Sequence, residues 1–366
     1  MKITINTKDL LQSIQKVVGV VEKKQTMPIL SHILFKSDGK VLSLTATDLE
    51  VQISSKATPE SIEKHENFFT VSGRKLFDIL KALDDQRLLL ELIDDKLTIS
   101  TNKSKYRLAT LLANEFPVFE EKKADESFGI KQADLLNLFN KTQFSMAQQD
   151  VRFYLNGMLV EIEPNKLTTV ATDGHRLAKA VATIEKGTIS NCSFILPRKA
   201  IQELTRTMTP EKDCKISFSN NQASFDYDGV SFTTKLIDGK FPDYKRVVPD
   251  NTSRNILLDN NTLRPALQRV SILANEKFRG VRIELVENEM IITSENPEQE
   301  EAKESIDLKE EQQPLVLGFN VSYLIDAVTS CEGQVVCMGL NDENSSALIT
   351  DPSNPNIEYV VMPMRL

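Results

Sequence analysis

The run ATDGHRLAKA, residues 171–180, sets an aspartate, a glycine, a histidine and an arginine side by side in a chain with only three histidines. An Asp–His pair can orient and polarise an imidazole so that it works as a general base. That chemistry also needs a nucleophile or metal ligands at a recognisable spacing, and the sequence holds no GxSxG, HExxH or P-loop pattern. The four cysteines, Cys192, Cys214, Cys331 and Cys337, lack CxxC spacing and histidine neighbours. They read as reduced core thiols, and neither a metal nor a cofactor is implied. Three readings of Asp173 and His175 stay open at this point: the catalytic pair of a hydrolase, a structural turn, or part of a binding surface.

The elements that carry this run narrow the choice. The chain has 366 residues with 40% apolar content, enough for two or three domains. MKITINTKDL shows no apolar stretch of a signal peptide, and no run approaches the ~18 apolar residues of a membrane span. A soluble, cytoplasmic protein is expected.

The sequence also repeats itself. Ala-Thr-Asp occurs at residues 46–48 and again at 171–173, with a weaker echo in EMIITSENPE around Thr293. Upstream, Leu10, Leu11, Ile14, Val17, Val18 and Val21 fall on one helical face; Leu135, Leu136 and Phe139 restart that pattern, as do Leu263, Leu267 and Val270. A second helix recurs as Leu76, Ile79, Leu83, then Ile201, Leu204, Met208, then between Tyr323 and Val328. Each unit closes on a proline, at 117, 242 and 363. Alternating stretches such as Val41–Ala46, Ala223–Tyr227 and Ile357–Val361, broken by DG, DD and NN turns, predict antiparallel strands.

The expectation is an α+β fold of three repeated domains, 1–122, 129–246 and 254–366, each with two helices packed on antiparallel sheet. The first repeat reads ATDLE, so Asp173 belongs to a shared strand end and turn, whereas Gly174, His175 and Arg176 are special to the middle repeat.

Charge is segregated along these elements. The net charge of −8 is the wrong sign for holding nucleic acid by overall attraction. The six expected helical segments (8–24, 73–83, 131–152, 198–208, 262–279, 320–331) nevertheless carry 17 Lys and Arg against 8 Asp and Glu, leaving 27 against 44 elsewhere. Helical propensity favours Glu as much as Lys, so the excess points to a basic helical track on an acidic body. A track of few, diffuse phosphate contacts suits a protein that surrounds DNA without gripping it.

The edges can be read too. NPEQEEAKESIDLKEE carries Glu298, Glu300, Glu301 and Glu304, and KLTISTNKSKYRL offers Lys96, Lys103 and Lys105 on alternating strands beside Tyr106 and Leu108. The acidic run alone would read as a solvated face. The basic edge strand makes a complement, and an unpaired edge needs a partner or protection.

The runs TQFSMAQQDVRFYLNGM (142–158), ATDGHRLA (171–178), DGKFPDYKRVVP (238–249), NEKFRGVR (275–282), NPEQEEA (296–302) and the closing YVVMPMRL resemble, in order and over the full length, the bacterial DNA polymerase III beta sliding clamp family. The resemblance implies a head-to-tail homodimer forming a six-domain ring, helices inside and sheets outside. It implies no active site of its own: the ring encircles double-stranded DNA without sequence specificity and tethers the polymerase III alpha subunit, other polymerases and repair proteins. A clamp loader opens it.

Carried over residue by residue, a pocket for short partner peptides would include Leu155, Thr172, Gly174, His175, Arg176, Leu177, Pro242, Arg246, Val247, Asn320, Tyr323, Ser346, Val360, Met362, Pro363, Met364, Arg365 and Leu366. DNA contacts would fall on Lys24, Arg74, Gln149, Phe153 and Tyr154. A family member has arginine in place of Lys24 and tyrosine in place of Phe153, so here the planar guanidinium fork and one hydroxyl are missing. The dimer joint would set Ile272 and Leu273 against Tyr106 and Leu108, with Lys75 near Glu298 and the lysines of the first domain facing Glu300 and Glu304.

Overall fold

The computed structural model describes residues 1–21, 27–63, 68–120, 126–184 and 191–365. Six α-helices are present among the described residues: α1 (Thr7–Val17), α2 (Gly73–Ala82), α3 (Gln132–Thr142), α4 (Arg198–Thr207), α5 (Asn260–Val270) and α6 (Val321–Ser330). Each of them follows directly on a strand; Lys2–Asn6, for example, runs into α1, Glu126–Lys131 into α3 and Arg254–Asp259 into α5. The junctions into α1 and α5 are capped by residue types that favour them. Asn6 accepts from Lys8 N at 2.8 Å and Asp259 from Asn261 N at 3.1 Å.

The helices are shorter than the sequence pattern predicts. α1 stops at Val17 because Val18-Gly19-Val20-Val21 are weak helix formers. Its last carbonyls are taken over by Arg206, which donates to Gln15 O at 2.9 Å and Lys16 O at 3.1 Å. α3 gives way to a 3₁₀ turn, Gln143–Ser145, before Gln149 turns left-handed at φ +57°. α5 ends at Val270 rather than 279. With the observed bounds the helices hold 11 Lys and Arg against 5 Asp and Glu. The excess shrinks but keeps its sign.

By its contacts the chain falls into two compact units, residues 1–136 with 199–236, and residues 137–198 with 237–366. The first holds a five-stranded sheet in the order Ser61–Glu63, Lys2–Asn6, Arg87–Ile93, Lys96–Ser100, Lys105–Ala109, and an eight-stranded one. In the eight-stranded sheet Val230–Lys235 pairs antiparallel with Val51–Ala57, Phe232 opposite Ile53. The second unit repeats that join. There Arg176–Thr183 pairs with Asn354–Val361, Ala178 opposite Tyr359, and a separate long hairpin links Gly280–Glu295 to Glu301–Asn320. Apolar stripes fill the interiors: Leu10, Ile14 and Val17 of α1 with Leu76 and Leu80 of α2 in one unit, and Leu263, Leu267 and Val270 of α5 with Leu324 and Val328 of α6 in the other.

The expected core thiols are half right, since Cys214 and Cys331 are buried but Cys192 and Cys337 are partly exposed. Lys103 is not on a strand but in the turn between Lys96–Ser100 and Lys105–Ala109. Among the described residues no helix is long and apolar enough to cross a membrane.

Candidate partner-docking cleft

The turn after Thr172 is built by side chains. Asp173 Oδ1 accepts from the backbone of His175 at 2.9 Å and Arg176 at 3.0 Å, while Thr172 Oγ1 accepts from Gly174 N at 3.1 Å and donates to Arg176 O at 2.5 Å. The first repeat has the same chemistry: Asp48 accepts from Glu50 N and Val51 N at 2.9 and 2.7 Å, and Thr47 bridges Leu49 N and Val51 O. The left-handed residue is Leu49 at φ +77° in one and Gly174 at φ +91° in the other.

In the third repeat the turn is capped by Asn296, which accepts from Glu300 N at 2.9 Å, so the equivalent position lies in the residues just after the echo around Thr293. Asp173 therefore serves the backbone of His175 and not its ring. The structural-turn reading holds, and the catalytic pair is not assembled.

Behind this turn lies a cleft of about 200 Å³. Nine of the expected pocket residues line it: Leu155, Thr172, Gly174, Arg176, Leu177, Pro242, Val247, Val360 and Met362. Its floor belongs to a buried apolar cluster including Leu177, Val360, Phe241 and Tyr244. The end of the chain is tied down beside it, since Met362 N donates to His175 O at 2.9 Å and Met364 N to Gly318 O at 2.8 Å. The end of the chain is thus partly a docked strand, in which Ile357, Tyr359, Val360 and Val361 are core. Past the end of that strand, Met362 lines the cleft.

Arg176 is a pin. Its Nε donates to Asp173 Oδ2 at 3.1 Å, Nη2 to Phe144 O at 2.6 Å and Nη1 to Asp326 of α6. Its guanidinium carbon also sits 4.4 Å from the centroid of the Tyr323 ring. His175 and Tyr323 instead line an adjoining polar hollow with Gln149.

Arg152 borders both spaces. It is bound to Asp150 at 2.9 Å and donates to Asp173 O at 3.2 Å, and its hydrogen bonds hold the Asp150 carboxyl down at about 2. Tyr244 donates to Glu161 at 2.5 Å; burial, then this carboxylate, push its phenol well above the ordinary range.

Other expected residues lie elsewhere. Met364 and Arg365 line a separate cleft. Asn320 caps α6 through Ser322 N at 2.9 Å and donates to Phe278 O at 3.3 Å. Arg246 is exposed and paired with Asp243 at 2.9 Å; Pro363 and Ser346 are half-buried. Leu366 and Lys24 lie outside the described residues.

Of the expected DNA contacts, Arg74 donates to Val21 O at 2.9 Å, Gln149 is exposed and Phe153 is 58% exposed, but Tyr154 packs against the cleft cluster. Sequence reasoning left Arg152 and Tyr244 out of the pocket, although both stand in runs that carry the family likeness. Nothing in spacing alone marks them.

At the expected joint, Lys75, Lys96 and Lys103 are exposed, Tyr106 and Leu108 half-buried, and Ile272 is 76% exposed beside half-buried Leu273. Glu298 and Glu300 are exposed. Glu304 is already gripped by Arg269 at 2.7 and 2.6 Å, which lowers its carboxyl pKa.

Models of the N-terminal, central and C-terminal domains of the DNA polymerase III beta subunit match residues 1–120, 129–243 and 245–365. A protein of Vibrio cholerae named beta sliding clamp is 41% identical over 368 residues, covering all of both chains. The crystal structure of the DNA polymerase III subunit beta from Pseudomonas aeruginosa superposes with a TM-score of 0.97 at 41% identity, again over the whole of both. A second structure from that organism, a sliding clamp bound to griselimycin, gives 0.96 at 42% with the same coverage.

Proposed function

The chain belongs to the DNA polymerase III beta subunit family, and from that premise we propose that it works as a homodimeric ring around duplex DNA. Its working domains are 1–122, 129–246 and 254–366, its place the cytoplasm, and its task to tether the replicative polymerase and other clients. It is a DNA sliding clamp and not itself an enzyme.

One observation carries the ring: the repeats pair their sheets in one register, and one pair of edges is left over. Across the two joins the rows run Phe225–Phe232–Ile53–Ala46 and Ile349–Tyr359–Ala178–Ala171. The strand equivalent to Val230–Lys235 in the first repeat is Lys105–Ala109, with Ile99 opposite Tyr106. The strand equivalent to Val51–Ala57 in the third is the start of Glu301–Asn320, with Ser294 opposite Ala302.

Among the described residues each lacks a neighbour on its outer edge. Pairing the two between copies puts Tyr106 opposite Ala302 and Arg107 opposite Glu301, with Lys75, Lys96 and Lys103 near the Glu298 and Glu300 turn and Ile272 and Leu273 behind. An edge that meets a different edge must close into a ring or grow into a filament. Two copies, each contributing three repeats, close it.

The helical excess of Lys and Arg supplies the weak inner track, with Lys24, Arg74, Gln149 and Phe153 as its contacts. The cleft beside the 172–176 turn takes the apolar side chains of partner peptides, from the polymerase alpha subunit, the clamp loader or repair proteins. Burying two leucine-sized side chains there contributes roughly 3–6 kcal/mol, a gain from which the costs of association are then subtracted. The thioether of Met362 adapts to different clients.

Primer extension on a long single-stranded circle, with a clamp loader, ATP and a polymerase of a related bacterium, tests the tether. Product length should rise severalfold with this protein. Unchanged products, where the relative's own clamp lengthens them, refute it.

A further inference from the structure

Five Asp or Asn residues stand directly before a glycine: Asp38, Asn156, Asp173, Asp228 and Asp238. A glycine has no side chain to shield its amide nitrogen and has the freest dihedrals of any residue, so at such a pair that nitrogen can attack the preceding side chain's carbonyl carbon. The attack requires a side chain free to turn and an amide not already committed to a hydrogen bond.

Four of the five pairs are locked. Asp38 accepts from Val41 N at 2.8 Å and Lys40 N at 2.9 Å, and Gly39 N is given to Ser37. Asn156 is fixed at both ends of its amide to the Asp150 backbone, each at 2.9 Å. The Asp173 carboxylate and Gly174 N are both used in the turn beside the docking cleft. Asp228 is clasped by Lys212 and Thr209, both at 2.9 Å.

Asp238 differs. It and Gly239 are exposed, and among the described residues neither its carboxylate nor Gly239 N has a hydrogen-bond partner. Gly239 stands at φ +144°, which other residues rarely adopt. The flanks are fixed instead. Ile237 N donates to Ile195 O at 2.9 Å, Phe241 is buried in the cluster beneath the docking cleft, and Pro242 lines that cleft.

We propose that Asp238 is a modification site, where the chain converts spontaneously to isoaspartate and thereby loosens the docking cleft. Gly239 N bonds to Asp238 Cγ, and the carboxyl oxygen leaves with the carboxyl and amide protons as one water, closing a cyclic imide. A second water then breaks the original bond between the Asp238 carbonyl carbon and Gly239 N. The chain now runs through Cβ and Cγ, and the former main-chain carbonyl has become a free carboxylate. One water leaves and one enters, so no oxidant or reductant is needed. The main chain gains a methylene between two anchored stretches, which displaces Phe241 and Pro242. The site stands on the geometry of the pair alone, whereas its consequence rests on the docking function of the cleft.

The full chain is aged for several weeks at neutral pH and physiological temperature and then digested with trypsin. The peptide spanning residues 236–240 should carry severalfold more isoaspartate than any peptide holding one of the other four pairs. It should also be the one labelled by an isoaspartyl carboxyl methyltransferase with S-adenosylmethionine. In fluorescence anisotropy with a short Leu/Phe anchor peptide, aged protein should bind severalfold more weakly than fresh protein. Asp238→Glu, whose longer side chain closes a ring far more slowly, should keep its affinity through the same ageing.

Isoaspartate spread evenly over the five pairs, or concentrated at another, overturns the site. Isoaspartate at Asp238 with unchanged anchor affinity, or an equal loss of affinity in aged Asp238→Glu, breaks the link to the cleft and overturns the proposal as well. Failure of the fresh protein to bind the anchor overturns the docking reading, and the peptide map still decides whether Asp238 is the site.

Discussion

If Asp173 is a turn cap, its loss should cost stability, and the cost should be matched by Asp48, which has no histidine beside it. Both carboxylates accept two backbone N–H groups at 2.7–3.0 Å, and each also meets one cation, Arg176 at 3.1 Å and Lys199 at 2.5 Å. Both are well covered, at 16% and 4% side-chain exposure. A hydrogen bond to a charged group contributes about 1.5–3 kcal/mol, but the freed turn amides regain water, so about 1 kcal/mol per amide is the better figure. Adding about 1 kcal/mol for the ion pair, Asp173→Ala and Asp48→Ala should each lose about 2–4 kcal/mol.

Asn keeps an oxygen for both amides and forfeits only the charge. Asp173→Asn and Asp48→Asn should therefore lose about 1 kcal/mol. At about 2–4 °C per kcal/mol for units of this size, scanning calorimetry should show transitions lowered by roughly 5–15 °C for the alanine variants and a few degrees for the asparagines. The reasoning fails if Asp48→Ala is silent while Asp173→Ala is severe, or if Asp173→Asn is as damaging as Asp173→Ala. Either result would give Asp173 a chemical role beyond the turn.

The same contacts set further outcomes. Met362→Ala and His175→Ala should abolish or strongly weaken polymerase binding in a pull-down, while sedimentation still reports a dimer; a monomer would make these residues structural. Arg107→Glu places like charges opposite Glu301 across the proposed joint, and at about 0.2–1 kcal/mol per cross-strand pair it should raise the dimer dissociation constant severalfold. Glu301→Arg in the same chain should recover it. The Asp150 carboxyl is depressed to about 2 by Arg152, so the favourable pairing is complete above the ordinary carboxylate range and fades only as pH falls toward 2. Carboxyl-detected NMR should show that midpoint, and Arg152→Ala should return it toward about 3.9. Lys141, nearly buried, donates to Ser330 O at 2.7 Å and Glu332 at 2.6 Å. Lys141→Met should destabilise the protein by about 1–3 kcal/mol, read as a lowered unfolding transition.

Much of this was legible in the sequence because repeats make the same local demand several times. The Ala-Thr-Asp strand ends were visible because an aspartate that caps its own turn is a local device, independent of what packs above it. The six helices were visible for the same reason, through their apolar stripes. Their lengths were not, because the last carbonyls of α1 are taken over by Arg206 from a segment far along the chain and α3 passes into the 3₁₀ turn Gln143–Ser145, which a polar run does not announce.

The role of Arg176 shows the limit for the site. The resemblance gives it only as one pocket residue among many, yet Phe144 on one side and Tyr323 and Asp326 of α6 on the other, brought from two other places, turn it into a pin. Likewise Met362 and Met364 are two residues apart and line different clefts, a separation set by the tie from Met364 to Gly318 and not by periodicity.

The central claim is that the protein holds DNA by enclosing it, and retention on nicked circular DNA tests that most directly. After loading with a clamp loader and ATP, the complex is washed in high salt, and the circle is then cut. Ordinary phosphate contacts weaken steeply, with a slope of about −0.9 per contact in log affinity against log salt, whereas a topological link does not. The account predicts that the protein survives the wash on intact circles and runs off once they are linear. Loss from intact circles, under conditions where a relative's clamp is retained, would contradict it.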